Sequence, residues 1–587
     1  MIKYKCSNDK CNIECETSVC PQCGYRAEVL QAKVFWCNEC NIPLYDTHCS
    51  LCGKEATALT TDIRPVFPEE RLLLEVLIGE PFKFMNDSVW NGTGNKYIVN
   101  GEKLKYSQDE LMQKNPQIVI EELEELKHKN NCEKFNEYIK LFLEANKKRF
   151  NQIDTEARNF IKETIEEVER KHKKEDWRMY VSFSGGKDST VVSDLVVRSL
   201  GTIEVSHIFA DTTLEFPSTI QYAKRFKLNN PKVPFFFAKN KEKNFYDMCE
   251  VVGPPSRIMR WCCIVFKTGA LTKRLDVMFK NKKKLLTFYG VRRSESNSRS
   301  KYERVSDSPK ITKQQVISPI IDWYDFDIWL YILMRNIDFN DAYRLGYSRV
   351  GCWCCPNNTK WAQYLSSIYI PEEYKKWRDL LINFAKKIGK PDWEVYVDEG
   401  NWKARQGGNG VEIGKNTFIE FKPCATSNHS FNYELNKPIT EELFELFKPF
   451  GWINKDMGNR RLGQVYIVDK KNHPILILEA KLGDKRLKVT IVKTKVLGAK
   501  SLRDVKQKVD AQITKYQMCL GCLACESVCK YDAITIKKSA HENELKGKAF
   551  TEYYKINDEK CVRCGQCVNH FDGGCYMRKV LITKRGE

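Results

Sequence analysis

The residues with the clearest chemical meaning form a short loop, Ser184-Gly185-Gly186-Lys187-Asp188-Ser189, between an apolar strand and an amphipathic helix. Its two glycines let the backbone approach an anion closely, and the helix offers free N–H groups and the positive end of its dipole. Lys187 adds a positive charge. The loop therefore predicts a phosphate or pyrophosphate site, and its spacing differs from the Gly-x-x-x-x-Gly-Lys-Ser/Thr loop.

Strands and helices alternate around this loop. Strands are predicted at 178–183, 204–210, 233–238 and 285–290, and helices at 217–226, 268–279 and 325–335. Such alternation predicts a doubly wound parallel sheet of the α/β class. Ligands of these sheets bind at the carboxyl ends of the strands, where Asp211 falls. Asp211 is therefore either a ligand of ribose, adenine or a metal, or a turn residue.

Five further segments follow the loop in order. They are Phe209-Ala210-Asp211-Thr212-Thr213-Leu214-Glu215-Phe216-Pro217, Trp261-Cys262-Cys263-Ile264-Val265-Phe266-Lys267, Gly290-Val291-Arg292-Arg293-Ser294-Glu295-Ser296-x-x-Arg299, Ser318-Pro319-Ile320-Ile321-Asp322-Trp323 and Gly351-Cys352-Trp353-Cys354-Cys355-Pro356. With the loop, they resemble the phosphoadenosine phosphosulfate (PAPS) reductase family of the PP-loop, or adenine nucleotide alpha hydrolase, superfamily.

This resemblance implies an adenine nucleotide substrate, such as ATP with magnesium, and chemistry on sulfur. Lys187 and Asp188 are the expected catalytic residues of the loop. The residues expected to bind the nucleotide are Ser182, Ser184, Gly185, Gly186, Lys187, Asp188, Ser189, Asp211, Lys267, Arg292, Arg293 and Arg299. The basic members of this set suit sulfate or phosphate oxygens, because arginine makes bidentate contacts with them.

Two cysteine pairs lie within the same region. Cys262-Cys263 and Cys352-x2-Cys355 are similar to the pattern that holds a 4Fe-4S cluster in many adenylylsulfate reductases. Zinc is the alternative metal. The remaining cysteine, Cys354, either substitutes for a neighbour or carries a persulfide as a catalytic thiol.

The last part of the chain carries two dense cysteine runs. Cys519-x2-Cys522-x2-Cys525-x3-Cys529 is followed by Cys561-x2-Cys564-x2-Cys567-x7-Cys575, which resembles a bacterial two-cluster ferredoxin. The resemblance implies crossed ligand sets. One cluster is expected on Cys519, Cys522, Cys525 and Cys575, and the other on Cys561, Cys564, Cys567 and Cys529. Lys530 replaces the usual proline, and the last spacing is long.

The first part of the chain carries zinc-type spacings. Cys37-x2-Cys40-x8-Cys49-x2-Cys52 is followed by a glycine and predicts a four-cysteine zinc ribbon. Upstream, Cys6-x4-Cys11-x8-Cys20-x2-Cys23 repeats the second half of this pattern and predicts a second ribbon. Cys15 is left over, and it is an alternative to Cys11. Ribbons of this kind bind proteins or nucleic acid.

These motifs divide the 587 residues into five parts. We predict tandem zinc ribbons at 1–60, a helical connector at 61–177, the catalytic domain at 178–389, a small β-rich domain of unassigned role at 390–515, and the ferredoxin-like domain at 516–587. Helical periodicity supports the connector at 118–150 and 156–173, and alternating strands support the β-rich domain at 464–469, 474–479 and 487–493.

The formal net charge is +20, which favours acidic partners such as nucleotides, nucleic acid or an acidic electron carrier. No apolar run has the length of a membrane span, and the N-terminus lacks the apolar core of a signal peptide. The 25 cysteines occur in metal-type clusters rather than in a disulfide framework. We therefore expect a cytoplasmic protein with no membrane contact.

Three functions fit these features. The first is reduction of PAPS or adenylyl sulfate to sulfite, with an external donor feeding electrons through the ferredoxin-like domain. The second is an ATP pyrophosphatase that adenylates an acceptor for sulfur insertion, as in the phosphorothioation enzymes that the intact loop and cluster cysteines resemble. The third is a nucleotide-sensing scaffold, against which the ferredoxin-like motif counts.

The domain resemblance and the ferredoxin-like motif favour the first function, whereas the sequence departs from the reductase pattern in two ways. Reductases of the family commonly carry a nucleophilic cysteine in a Glu-Cys-Gly type motif near the C-terminus, and this sequence has none there. Cys424 is the candidate substitute. Those reductases also often lose the Lys-Asp pair of the loop, whereas Lys187 and Asp188 are present here, as expected for an enzyme that acts on ATP.

Overall fold

The computed structural model describes residues 4–578, except 7–12, 16–19, 23–26, 30–33, 60, 242, 258, 297–298, 309–312, 405–419, 424–426, 520, 539–550 and 571–573. Its central element is a six-stranded sheet. Five strands are parallel, and the sixth pairs antiparallel at one edge. In spatial order the strands are Phe235–Lys239, Ser206–Asp211, Trp177–Ser182, Lys284–Phe288, Gln314–Ile317 and Val305–Asp307.

This topology confirms the predicted doubly wound α/β sheet. The chain leaves Trp177–Ser182 toward one edge and later returns to its other side at Lys284–Phe288. Ligands of such sheets bind at the switch between the two directions, beyond the carboxyl ends of the strands. The loop at 184–189 lies at this switch. Helices of this domain are Lys187–Leu200, Pro217–Asn229, Phe245–Val252, Gly269–Met278, Asp325–Met334, Lys360–Tyr369, Pro371–Lys387 and Trp393–Asp398.

The segment at 61–177 contains a sheet as well as the expected helices, which corrects the prediction of a helical connector. Four antiparallel strands precede the helices: Ile63–Pro65, Val89–Gly92, Lys96–Val99 and Glu102–Lys103. A tight turn with positive φ at Gly94 and Asn95 joins two of them. In these strands the alternation of apolar and polar residues is short and lies among charged residues, so they could not be recognised as strands from the sequence. The helices are Pro68–Ile78, Gln108–Leu111, Pro116–Leu126, Glu133–Ala145 and Lys147–Lys171.

The N-terminal region contains two small three-stranded sheets. One consists of Tyr4–Cys6, Glu14–Cys15 and Ala27–Val29, and the other of Val34–Cys37, Ile42–Leu44 and Thr57–Leu59. The second sheet packs against the catalytic domain, because Trp36 and Ile42 share one apolar core with Phe326 and Leu330. The residues around Cys37 are therefore part of the main body of the protein.

The C-terminal third begins with an antiparallel six-stranded sheet. In spatial order its strands are Glu420–Pro423, Ser430–Glu434, Arg486–Ile491, Pro474–Glu479, Gln464–Val468 and Trp452–Asn454. A long helix, Leu502–Met518, leads from it to the cysteine-rich region, which has a hairpin of Ile534–Lys538 and Thr551–Ile556. Short helices lie at Glu441–Glu445, Ala524–Ser527 and Gln566–Asn569. Among the helices of the residues listed above, none is long and apolar enough to cross a membrane.

Candidate active site and metal centres

The phosphate loop is held rigidly from both sides. Gly185 has φ 72°, and a Cβ there would lie 2.9 Å from Thr219 Cγ2. On the other side, a Cβ at Gly290 would lie 2.6 Å from the carbonyl carbon of Asp188. Both positions therefore require glycine. Within the loop, the Ser189 hydroxyl accepts a hydrogen bond from the Ser184 amide at 3.2 Å, and Ser182 ends the preceding strand.

Lys187 and Asp188 belong to a buried network of ion pairs. Lys187 Nζ lies 3.4 Å from Asp188 and 3.3 Å from Asp325, while Arg292 lies 2.6 Å from Asp188 and 2.7 Å from Asp325. Burial alone would lower the pKa of Lys187, but the two carboxylates outweigh it and raise that pKa. Burial opposes ionisation of Asp325, yet Lys187 and Arg292 lower its pKa to about 2.

The network extends into the N-terminal region. Asp62 accepts hydrogen bonds from the backbone N–H groups of Asp325, at 2.7 Å, and of Phe326, at 3.1 Å. It thus caps the helix Asp325–Met334 from a distant part of the chain. Burial, together with the nearby Asp325 carboxylate, raises the pKa of Asp62 to about 7. Asp62 and Asp325 are site residues that the sequence analysis missed, although Asp325 stood at the start of a predicted helix.

The remaining residues predicted at the nucleotide occupy different positions. Asp211 accepts a hydrogen bond from the Thr213 amide at 2.8 Å and pairs with Lys239, which is the turn role considered above. Arg293 pairs with Asp322, whereas Arg299 pairs with Glu295 and lies in electrostatic range of Asp188 and Arg292 beside the loop. Lys267 has Cys352, Glu215 and Cys263 in electrostatic range.

The cysteine pairs of the catalytic domain converge on one place. Cys263 begins a π-helical turn, Cys263–Thr268, and Cys352 pairs with Glu215 in an isolated β-bridge. The Thr212 hydroxyl lies 3.4 Å from Cys352 Sγ, and the thiols of Cys262 and Cys355 are in electrostatic range of this group. Four thiolates from two segments are a fitting donor set for one 4Fe-4S cluster. π-Helical turns occur frequently at functional sites.

Cys354 belongs to the apolar core and lies in electrostatic range of Cys352 and Cys355. It is 4% exposed, and burial raises the pKa of its thiol well above the ordinary value. A thiol in this environment is a poor nucleophile. Cys249, an isolated cysteine that belongs to no motif of the sequence, is also buried within electrostatic range of Cys354. Cys424, the other candidate thiol, lies outside the described residues.

The cysteines at 37–52 have the geometry of a zinc site. Cys37 and Cys52 Sγ atoms are 3.5 Å apart, and those of Cys40 and Cys49 are 3.8 Å apart. A tetrahedron with Zn–S bonds of about 2.3 Å has edges of about 3.8 Å, so the four sulfurs fit one zinc ion. Within the described ranges, no other group of three or more cysteine, histidine or acidic residues is so compact.

The upstream zinc ribbon remains a prediction. Cys11 and Cys23 lie outside the described residues, and Cys6 and Cys15 lie on paired strands whose side chains are not described. Cys20 is buried.

The C-terminal cysteines form two groups with crossed membership. Cys519, Cys522, Cys525 and Cys575 line one small cavity, together with apolar residues. In the other group, Cys529 and Cys564 are in electrostatic range of both Cys561 and Cys567. The ligand sets that the ferredoxin resemblance implies remain a prediction, and these eight thiols would be a fitting donor set for two 4Fe-4S clusters.

A buried lysine lies between these two groups. Lys515 is 2% exposed and donates to the carbonyl of Cys567 and to Gln512, both at 2.7 Å. Burial would lower its pKa, but Cys525, Cys567, Cys575 and Cys519 raise it. A buried cation without a carboxylate partner in the described part of the chain needs an anionic neighbour. Thiolate-bound clusters meet that need.

The cysteine-rich region docks on the catalytic domain beside its cysteines. A Cβ at Gly269, immediately after the π-helical turn, would lie 2.7 Å from the Ser527 carbonyl oxygen in the Cys525 helix, Ala524–Ser527. Ion pairs flank this contact: Lys243 with Glu526 at 3.5 Å, Lys273 with Asp532 at 2.8 Å, and Lys530 with Asp276 at 3.7 Å. The two metal regions therefore face each other across the π-helical turn.

The phosphate loop at the switch of a parallel sheet defines a PP-loop nucleotide-binding domain. Comparison with known families agrees. Residues 178–358 match the phosphoadenosine phosphosulfate reductase domain, and residues 518–570 match a 4Fe-4S dicluster domain. The chain thus contains a PAPS reductase domain joined to a 4Fe-4S dicluster domain, as the motifs predicted.

Relatives of known sequence cover parts of the chain. An uncharacterized protein of Methanocaldococcus jannaschii is 34% identical over 269 residues, which are 46% of this chain and 61% of that protein. A second one from this organism is 26% identical and is matched over 60% of its length, so the chain spans about six tenths of these relatives. Adenosine 5'-phosphosulfate reductase of Halalkalibacterium halodurans is 25% identical over 204 residues, 34% of this chain and 83% of that enzyme.

Solved structures give weaker likenesses. A PAPS reductase from Candida auris, in a phosphate complex, has 19% identity and a TM-score of 0.24, and covers 30% of this chain and 81% of its own. The U34-tRNA thiolase NcsA of Methanococcus maripaludis, with its [4Fe-4S] cluster, has 15% identity and a TM-score of 0.25. The match covers 43% of this chain and 79% of the thiolase chain.

Zinc removal gives a first prediction. We expect Cys49→Ser/Cys52→Ser to lower both thermal stability and AMP affinity, because the ribbon core contains Phe326 and Leu330 and lies beside Asp62. Calorimetric unfolding and equilibrium dialysis with AMP measure these effects. Cys132→Ser, at an exposed cysteine outside every cluster, is the control. An unchanged AMP affinity in the zinc-free variant would mean that the ribbon does not support the nucleotide site.

Proposed function

We propose that this protein is an iron-sulfur enzyme that reduces an adenylylated sulfate, PAPS or adenylyl sulfate, to sulfite. The observation that carries this proposal is the contact between the Cys525 helix and the π-helical turn that begins at Cys263. It joins a dicluster region to the cysteines of a nucleotide domain, which is the arrangement that a reductase needs and a simple nucleotide hydrolase does not.

The reaction balances with two electrons. They reduce the sulfur from the sulfate to the sulfite oxidation state, the bond between sulfur and the bridging oxygen breaks, and the nucleoside phosphate leaves with that oxygen. A reduced electron-carrier protein supplies both electrons. When bound, 4Fe-4S clusters supply one-electron transfer between this donor and the substrate site.

The protein's own residues hold the substrate for this step. The phosphate loop and the helix that follows it bind the nucleotide phosphates through backbone N–H groups and Lys187. Arg292 and Asp325 fix Lys187 and Asp188 before the nucleotide arrives, so little ordering is required on binding. The similarity to adenosine 5'-phosphosulfate reductases over 34% of the chain supports this assignment.

A second candidate is an ATP pyrophosphatase that adenylates an acceptor for sulfur insertion. The Lys187–Asp188 pair favours this second candidate, because both residues of the phosphate loop are present. They are held in ion pairs that suit a pyrophosphate leaving group. In this case the zinc ribbons and the basic surface would offer contacts to a nucleic acid or protein acceptor, and magnesium would accompany ATP.

The two candidates differ in their products. Anaerobically purified protein should convert adenylyl sulfate or PAPS to sulfite in the presence of a reduced electron carrier, and should release no pyrophosphate from ATP. Cys352→Ser should stop sulfite formation, since it removes a ligand of the catalytic-domain cysteine group. Release of pyrophosphate from ATP without any sulfite from either sulfonucleotide would reject the reductase and favour the second candidate.

A further inference from the structure

Positive charge is concentrated around the loop that carries Cys352 and Cys355. Cations lie near these cysteines or against their loop, and within the described ranges none has a carboxylate oxygen within 4.0 Å. They are Arg257, Arg260, Arg349, Lys360 and Lys403. Lys267 lies beside the same cysteines but has the Glu215 carboxylate in electrostatic range. The phosphate loop differs, because both of its buried cations, Lys187 and Arg292, already have carboxylate partners. The unbalanced charge is therefore at the cysteine end of the site.

One short segment connects the two ends. Lys187 Nζ donates to the carbonyl of Ser348 at 3.4 Å, and Cys352 follows four residues later. Four extended residues span at most about 14 Å. Arg349 directly follows the contact with Lys187, is exposed, and lies in electrostatic range of both Arg299 and Cys355. Arg349 therefore belongs to the short segment that runs from the phosphate loop to the cysteines.

Arg260 approaches the same place from the other side. Its carbonyl accepts a hydrogen bond from the Cys263 amide at 3.2 Å, so it lies immediately before the cysteine pair. Arg257 Nε donates to the Pro356 carbonyl at 3.3 Å, which ties this segment to the Cys352–Pro356 loop. Arg260 is exposed and in electrostatic range of Cys355.

We infer that Arg260 and Arg349 form an oxyanion subsite between the phosphate loop and Cys355, which binds the sulfur oxyanion end of the nucleotide substrate. This inference rests on the proposed reductase function. Two guanidinium groups can each make bidentate contacts with a tetrahedral oxyanion. With the phosphates fixed at the loop, they would hold the sulfur toward the cysteines and would set the preference for a sulfur-bearing nucleotide.

Binding measurements on the anaerobically purified full-length protein test this subsite without turnover. Arg349→Gln and Arg260→Gln should each weaken sulfite binding by about tenfold or more, because each removes charge-assisted hydrogen bonds to an oxyanion. AMP binding should change less than about twofold, since the phosphate loop is untouched. Arg461→Gln, at an exposed arginine of the β-rich domain, is the control and should change neither. Equilibrium dialysis with sulfite, AMP and inorganic phosphate gives all three affinities, and the iron content of each variant checks its integrity.

Each outcome decides the inference. Unchanged sulfite affinity in both variants, or an equal loss of AMP affinity, would overturn the subsite. If inorganic phosphate binds more tightly than sulfite and is lost in the same variants, the subsite takes a phosphate group and the sulfur assignment is wrong. If the variants lose sulfite binding while the wild type forms no sulfite from either sulfonucleotide, the subsite stands and the proposed reaction fails.

Discussion

Replacing Lys187 with alanine is expected to reduce turnover by about 10³-fold or more. In the proposed function the lysine contacts the substrate phosphates, and in the structure it neutralises Asp188 and Asp325. Its side chain is buried, and its removal leaves two partly buried carboxylates, Asp188 and Asp325, that pair with Arg292. Breaking a buried ion pair in this way costs about 3–5 kcal/mol. Sulfite formation, AMP affinity and the free energy of unfolding should therefore all fall together.

A second substitution separates the two roles of Lys187. Adding Asp325→Asn to Lys187→Ala removes one orphaned carboxylate, so unfolding stability should recover in part. Turnover should stay low, since the positive charge at the phosphates is still missing. If Lys187→Ala retains wild-type turnover, the loop does not hold the substrate phosphates. If the double variant regains turnover as well as stability, Lys187 serves the fold alone.

Replacing Gly269 with leucine is expected to slow sulfite formation by about 10²-fold when electrons come from an external carrier, because displacements of about 1 Å at such a contact can have effects of this size. A Cβ at this position would lie 2.7 Å from the Ser527 carbonyl oxygen and 2.9 Å from that of Ile264. The side chain would push the Cys525 helix away from the π-helical turn. Leucine favours a helix more than glycine does, so the loss would not come from a weaker helix.

Two measurements accompany this variant. AMP affinity and iron content should match the wild type, because neither the phosphate loop nor a cysteine is changed. Val277→Leu, at a position of the same helix that is 77% exposed, is the control and should have no effect. A wild-type rate of sulfite formation in Gly269→Leu would show that electron transfer to the catalytic domain does not depend on this contact.

The features that could be predicted from sequence are those whose residues are close together in the chain. The phosphate loop, the Cys37–Cys52 spacing and the two C-terminal cysteine runs are local patterns, and a local pattern fixes local geometry. The parallel sheet was also predictable, because each apolar strand and its following helix have distinct periodicities. Boundaries shifted by a few residues, as for the strand predicted at 204–210 and found at Ser206–Asp211.

The contacts that depend on tertiary packing could not be predicted. Asp62 lies 263 positions before the Asp325 amide that it caps, and a lone aspartate after a zinc ribbon carries no sign of this role. Gly269 looked like an ordinary residue near the start of a helix, because its importance arises only when Ser527 packs against it. Arg349 gave no signal either, since its position between the phosphate loop and Cys355 comes from the Ser348 contact with Lys187.

The docking of the Cys37–Cys52 ribbon has a consequence for how such proteins are inherited. A protein without this ribbon would lose the residues that pack beside Asp62. It would also lose the apolar residues that cover Phe326 and Leu330. Both losses fall on the helix whose first residue, Asp325, holds Lys187 in place. Ribbon and nucleotide domain should therefore persist as one evolutionary unit, and recombination should exchange them together rather than cut between them.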